Sequence, residues 1–218
     1  MLEDKFDSLS RNKGLLLAFL VGFTVRLIPE LLSFPNPIGW DTIYYAYRID
    51  GGVLFGFWDN IFSSWMIYGI LIFVRDLTSL APFMLLKIVA PLLYGGASTA
   101  IYFVASKKLN WSPTKSLLAS VFFAFSLAAL AISWQFYRNV FGVMVSLFAI
   151  SFIKADISWK ATAGLSILGL LIAWGHELAT VSLFFIIFGM LTLSVIRKEK
   201  IPYRLFVAYL FWGDYLAN

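Results

Sequence analysis

The chain has 218 residues, 61% of them hydrophobic and only 13% charged, with a formal net charge of +5 and a mean hydropathy of +0.84. Soluble domains carry nearly twice that share of charge, and a core of this size cannot hide so much apolar surface, so a water-soluble globule is excluded. Cysteine is absent, which removes disulfides, zinc–thiolate sites, iron–sulfur clusters and thiol nucleophiles; the basic residues lie in short clusters between apolar runs, which argues against nucleic acid as a partner.

Residues 1–13 mix Lys5, Arg11 and Lys13 with Glu3, Asp4 and Asp7, and the apolar run behind them lacks a small-residue cleavage site. That pattern predicts a cytoplasmic tail followed by a retained signal-anchor helix. A helix needs about 20 mostly apolar residues to cross a bilayer. Six runs meet or approach this requirement: 14–34, 82–106, 116–133, 140–153, 161–175 and 178–196. A seventh begins near Pro202 and stops at Asn218, the ending expected of a fragment of a longer protein. The runs do not alternate as barrel strands would, so the expected fold class is an all-α polytopic membrane bundle of about seven spans, one domain over 1–218.

Between the first two spans lies a long loop, 35–80, expected to carry juxtamembrane helices. Its apolar stretch 61–74 ends at Arg75-Asp76 and is short for a crossing, so it is read as interfacial or re-entrant. The tail and the connections 107–115, 154–160 and 197–204 hold 12 of the 17 Lys and Arg residues, whereas 35–80, 134–139 and 176–177 hold only Arg48, Arg75 and Arg138. The positive-inside rule places the tail and the basic connections in the cytoplasm of a multi-pass cell-membrane protein, and the other three connections outside.

This orientation gathers Asp41, Arg138, His176 and Glu177 on the outer face, from three separate connections. Pro37 and Gly39 break the first span, and a helix from Asp41 puts Asp41, Tyr44, Tyr45 and Arg48 on one face. Asp41 either caps that helix, with the tyrosines in an aromatic belt, or serves as a general base or ligand to a divalent cation. Arg138 either snorkels or grips a lipid phosphate. His176-Glu177 is either a polar turn or a site for substrate or metal, and without a second histidine it is not a zinc-protease helix. Arg26 and Glu30 share a face of the first span and are expected to pair. Lys87 is expected to snorkel from the second span. Ser120, Ala124 and Ala128 form a small-residue face expected to pack a neighbouring helix. No phosphate-binding glycine loop, dinucleotide fingerprint or nucleophile-elbow serine is present, and the acceptor-like Asn110-Trp111-Ser112 falls in a connection read as cytoplasmic.

In this order and sidedness, Arg26-x-x-Pro29, Gly39-Trp40-Asp41, Tyr44-Tyr45, Tyr137-Arg138-Asn139 with Gly142, and His176-Glu177 resemble the GT-C class of membrane glycosyltransferases. That class includes oligosaccharyltransferase catalytic subunits and protein mannosyltransferases, and the resemblance covers roughly residues 26–180. It implies transfer of a sugar from a polyprenyl-phosphate donor to an acceptor on the extracytoplasmic side. Asp41 would be the base or a metal ligand, and Arg138 would hold the lipid phosphate. Tyr44, Tyr45, Arg26, His176 and Glu177 would bind substrate. A magnesium or manganese ion is left open, with Asp41 and Glu177 as its ligands. The chain departs from the class in lacking paired carboxylates in the second outer loop, the WWD-type acceptor motif and a soluble C-terminal domain. A membrane transporter and a non-catalytic membrane subunit are the rival readings of the same residues.

Overall fold

A computed structural model describes residues 10–51, 65–153, 157–197, 204, 205 and 207. These residues form nine helices: α1 (Arg11–Leu32), α2 (Asp41–Asp50), α3 (Met66–Thr78), α4 (Pro82–Lys107), α5 (Pro113–Ala124), α6 (Leu127–Gln135), α7 (Tyr137–Phe152), α8 (Trp159–Gly175) and α9 (Glu177–Ile196). No strand occurs among the described residues.

Serine hydroxyls start several of these helices. Ser10, Ser112, Ser126 and Ser158 each accept a hydrogen bond from the backbone N–H three residues on, which satisfies one orphan donor of α1, α5, α6 and α8. Pro82 and Pro113 stand in the first turn, where their missing N–H costs nothing.

Three helices, α1, α4 and α9, are long and apolar enough to cross a membrane. A fourth crossing results if α5 and α6, which meet at 60°, act as one broken span. The sequence reading of 116–133 as one straight helix is therefore corrected: the chain breaks at Phe125–Ser126, where Ser126 leaves helical geometry and caps α6. The apolar helices α7 and α8 have 16 and 17 residues. At 1.5 Å per residue they reach about 25 Å, less than the ~30 Å hydrocarbon core. The run expected after Pro202 lies almost wholly outside the described residues.

Helix α4 is the hub and touches α1, α2, α3, α5, α6 and α7. Its closest partner, α1, presents a buried stripe at every fourth residue: Gly14, Ala18, Gly22, Arg26 and Glu30. The small members let the two backbones approach, as helix pairs in lipid require. A Cβ on Gly22 would stand 2.6 Å from Ser98 Cβ, and one on Gly95 would stand 3.0 Å from Phe19. The α5 face also packs on α4 as expected, through Ser120 and Ala124, with Ser120 Oγ donating to the Ser98 carbonyl at 2.8 Å. Ala128 does not join that face, because the break beyond Ala124 turns it outward, where it is exposed.

Two apolar clusters hold the rest. One joins α7, α8 and α9 through Val145, Ala149, Leu165, Ile172, Leu183 and Ile187. The other joins α2, α3 and α4 through Tyr45, Ile49, Tyr68, Leu71 and Leu86, closed by Tyr137. Leu20, Phe122, Ile167, Phe185 and Phe188 point outward from four different helices and are exposed. A belt of that kind is stable against lipid, not against water.

The two ends of the bundle differ in charge. The five acidic side chains among the described residues, Glu30, Asp41, Asp50, Asp76 and Glu177, lie at one end, near Arg48, Lys87 and Arg138. Eight cations, Arg11, Lys13, Lys107, Lys108, Lys115, Lys160, Arg197 and Arg204, mark the other. There Arg11 donates to the Ser106 carbonyl, Lys108 to that of Ile153 and Arg204 to that of Ile157.

Candidate functional site

The acid-bearing end is assembled by three turns. The first, Pro37-Ile38-Gly39, is pressed against the last carbonyls of α6. Gly39 has φ +84°, and a Cβ there would collide with the Trp134 carbonyl oxygen. Only glycine fits on both counts. The contact fixes α2, whose Thr42 hydroxyl donates to the Ile38 carbonyl and lies 3.2 Å from the Trp134 carbonyl and 3.1 Å from the Tyr137 hydroxyl.

Asp41 is the first residue of α2 and is half-buried. The capping alternative is thereby corrected: Trp40 occupies the cap position and no side-chain cap bond forms. Among the described residues the Asp41 carboxylate has no hydrogen bond or ion pair, although it stands in the favourable field of the helix N-terminus. A cleft of about 220 Å³, lined by Pro37, Gly39, Trp40 and Ile43, opens at this turn. Trp40 itself is 82% exposed.

One turn further on, Tyr45 is buried. It stacks on Tyr68 at 5.2 Å and meets the Tyr137 ring edge-on at 4.9 Å. Its hydroxyl accepts the Arg138 backbone N–H at 3.4 Å. Burial pushes the Tyr45 and Tyr68 phenols up, so both stay protonated and neutral. Tyr44, on the exposed side, receives the Arg48 Nε–H at 2.9 Å. The Arg48 guanidinium also lies 5.4 Å from the Trp65 ring, and the Arg138 guanidinium lies 5.0 Å from the same ring. Two cations thus converge on one indole.

Arg138 is anchored on its other side by the turn between α8 and α9. Its Nε donates to the Gly175 carbonyl at 3.3 Å, and its Nη2 pairs with Glu177 at 2.8 Å. Glu177 remains 60% exposed, so this ion pair is open to water and exchangeable. His176 caps α9: its Nδ1 accepts the Ala179 N–H at 3.2 Å, which leaves the proton on Nε2 to donate to Asn139 Oδ1 at 2.9 Å. Burial, and then the nearby Arg138 charge, lower its pKa from the usual 6.5. His176 is therefore a neutral cap with both ring nitrogens occupied, which matches the polar-turn reading. A Cβ on Gly142 would lie 2.8 Å from His176 Cβ, so this glycine lets the α9 start close on α7.

Arg26, expected to bind substrate, lies beneath this cluster in a separate buried network. Arg26 and Glu30 do pair, at 2.6 Å between Nη1 and Oε1, with side-chain exposures of 0% and 3%. The expectation for Lys87 is corrected. It does not snorkel; it is 7% exposed, and its ammonium lies 3.0 Å from Glu30 Oε2. It also donates to the Glu30 carbonyl and to Ser33 Oγ, each at 2.9 Å. That carbonyl lies in the last turn of α1, and the ammonium shares it with the Ser33 hydroxyl, which donates at 3.2 Å, at the negative end of the helix dipole. Arg26 reaches the Ser133 carbonyl at 3.4 Å, while its Nε has no hydrogen-bond partner among the described residues.

Sequence reasoning missed Lys87 as a partner of Glu30, Trp65 between two arginines, and Asn139 on His176. Arg48 was legible, from its spacing with Asp41 and Tyr44. For a metal, the described residues offer no group of three His, Cys, Asp or Glu side chains, and Glu177 is turned toward Arg138. A magnesium ion can be held by one or two carboxylates together with water and substrate phosphate. Asp41 fits that role only with substrate present, and no preformed cage surrounds it among the described residues. No protein-family model, curated protein or solved structure matches this chain.

Proposed function

We propose that this chain is a membrane glycosyltransferase of the GT-C type, moving a sugar from a polyprenyl-phosphate donor to an acceptor hydroxyl on the extracytoplasmic side. The observation that carries the reading is the convergence of three sequence-distant connections at one end of the bundle. They bring a carboxylate on α2 without a partner among the described residues, an exchangeable arginine at the start of α7 and an aromatic wall to one rim.

In this reading the acceptor oxygen attacks the anomeric carbon, and the bond from that carbon to the phosphate oxygen breaks. Asp41 takes the acceptor proton. Arg138 releases Glu177 and holds the departing phosphate, whose charge a planar guanidinium matches with two parallel bonds. The apolar cleft at Pro37, Trp40 and Ile43 suits the first prenyl units. The proposed topology has about seven spans, a cytoplasmic tail and an outer loop at 35–80 that makes no net crossing. Helix α3 supports that loop reading, because both its ends touch the acid-bearing end: Trp65 against Arg138, and Arg75 on the Ile49 carbonyl. The expected stretch began at 61, and its first four residues lie outside the described ones.

The test is transfer from a lipid-linked sugar by the purified chain. Asp41→Asn is expected to lower turnover by at least ~100-fold without changing the melting temperature, and Arg138→Ala to raise the donor concentration required. Undiminished transfer by the Asp41 variant would remove it from the mechanism. One observation favours the transporter alternative, since buried ionisable groups in a membrane bundle often line a substrate path: the Arg26–Glu30–Lys87 network. Substrate uptake into proteoliposomes that depends on Glu30, with no transfer activity, would decide for it.

A further inference from the structure

At the basic end, opposite the proposed transfer site, the end of α4, the end of α7 and the start of α8 enclose a cleft of about 260 Å³. Its polar lining is Lys107, Ser151 and Ser158. Its apolar lining includes Phe103, Phe152 and Ala161. Lys107 ends the 26-residue span α4, so its ammonium lies at headgroup depth, and both it and Ser158 are exposed at the mouth.

The hydrogen bonds show what the cleft can still offer. Ser151 Oγ donates back to the Leu147 carbonyl at 3.0 Å, so its hydroxyl proton is used. Ser158 Oγ accepts from the Ala161 N–H at 3.3 Å, which leaves its own O–H free to donate. Lys107 brings a charge, and the N-terminus of α8 adds the positive end of a helix dipole. Lys108 and Arg204 stand close by on the carbonyls of Ile153 and Ile157, which bracket the segment leading into α8. No acidic side chain among the described residues lies at this end.

From these features we infer that the cleft is a binding site for the phosphate headgroup of an anionic phospholipid. Lys107 and the Ser158 hydroxyl would contact the phosphate, and the phenylalanine walls would contact the glycerol and upper acyl carbons. The chemistry selects such a lipid on two counts. The Lys107 ammonium and the free Ser158 hydroxyl proton favour an anion, and the phenylalanine walls favour one that carries acyl chains. Basic pockets between membrane helices on the cytoplasmic side hold acidic lipids in this manner. The inference is independent of whether the other end transfers sugar.

The test uses the full chain in detergent, offered phosphatidylglycerol, phosphatidylcholine or inorganic phosphate, with retained lipid read by native mass spectrometry and stability by thermal melting. Phosphatidylglycerol is expected to be retained and to raise the melting temperature, while phosphatidylcholine and inorganic phosphate do neither. Lys107→Ala should weaken retention about five-fold, the effect of one lysine near an anionic headgroup. Ala161→Leu, which fills the cleft, should weaken it at least as much, whereas Lys115→Ala, outside the cleft, should not. Equal retention of phosphatidylcholine, an equal rise with inorganic phosphate, wild-type retention by Lys107→Ala, or an equal loss in Lys115→Ala would each overturn the assignment.

Discussion

Single residues here take their chemistry from neighbours that the sequence keeps far apart. His176 is an example. Alone it reads as part of a polar turn or as a site for substrate or metal, and in place it is a cap held neutral by burial and by the Arg138 charge. Its folded pKa is lowered, so the stability it contributes is fully present above about pH 6.5 and is lost as pH falls from there through the lower folded value. Melting temperatures from pH 8 to 5 should therefore fall more steeply for the wild type than for His176→Asn, which keeps a capping acceptor without the titration. Lys87 makes the same point in the interior. Breaking a buried ion pair by removing one partner costs about 3–5 kcal/mol, because a charge is left uncompensated. Glu30 is the shared partner of Lys87 and Arg26, so Glu30→Gln, which strands both cations, should destabilise the fold by that order in a reversible unfolding assay. Lys87→Met alone should cost less, because Glu30 keeps Arg26 as its partner, and equal losses in the two variants would show that Glu30 does not hold both cations.

Helices and turns here are governed by small residues at close approaches. Arg26 and Glu30 on α1 could be recognised as sharing a helix face from their spacing, but that spacing gave no hint of which helix they face. Gly142 and Gly39 are the turn-level counterparts. One seats the α9 cap on α7, and the other holds the α2 turn against α6. Gly142→Leu must push the His176 cap away from α7, so it should lower the melting temperature and break the Asn139 contact. The measurement is thermal unfolding, compared with Gly164→Leu, where a Cβ meets only Phe152 at 3.9 Å. A loss no greater than in the Gly164 variant would show that the α7–α9 approach is not tight. The bend between α5 and α6 lay beyond sequence reading for a related reason. Ser126 is an ordinary residue within an apolar run, and only its cap geometry marks the break.

For the whole molecule, the sorting of charge between the two ends carries the proposed orientation. The absence of cysteine makes this directly measurable, since any introduced thiol is unique. Asp50→Cys and Thr78→Cys should react with a membrane-impermeant maleimide added outside intact cells. Lys115→Cys and Arg197→Cys should react only after permeabilisation. Labelling of both pairs from one side would refute the sidedness on which the transfer reading depends. The lengths of α7 and α8 bear on the same question, because helices of about 25 Å fit a bilayer only if their flanking turns sit within the interfacial layers.

Composition and periodicity by themselves determined that the chain is helical and belongs in a membrane, because apolar runs of this length have no other stable solvent and no other way to satisfy their backbone. They also determined which residues could pair along one helix, as with Arg26 and Glu30, since that spacing is fixed by the helix itself. Tertiary structure alone decided which side chains meet across helices: Lys87 on Glu30, Trp65 between two arginines, His176 on Asn139. Those contacts depend on the rotation and tilt of packed helices, and in lipid these are set by small residues and buried polar bonds spread along the chain, not by any local pattern.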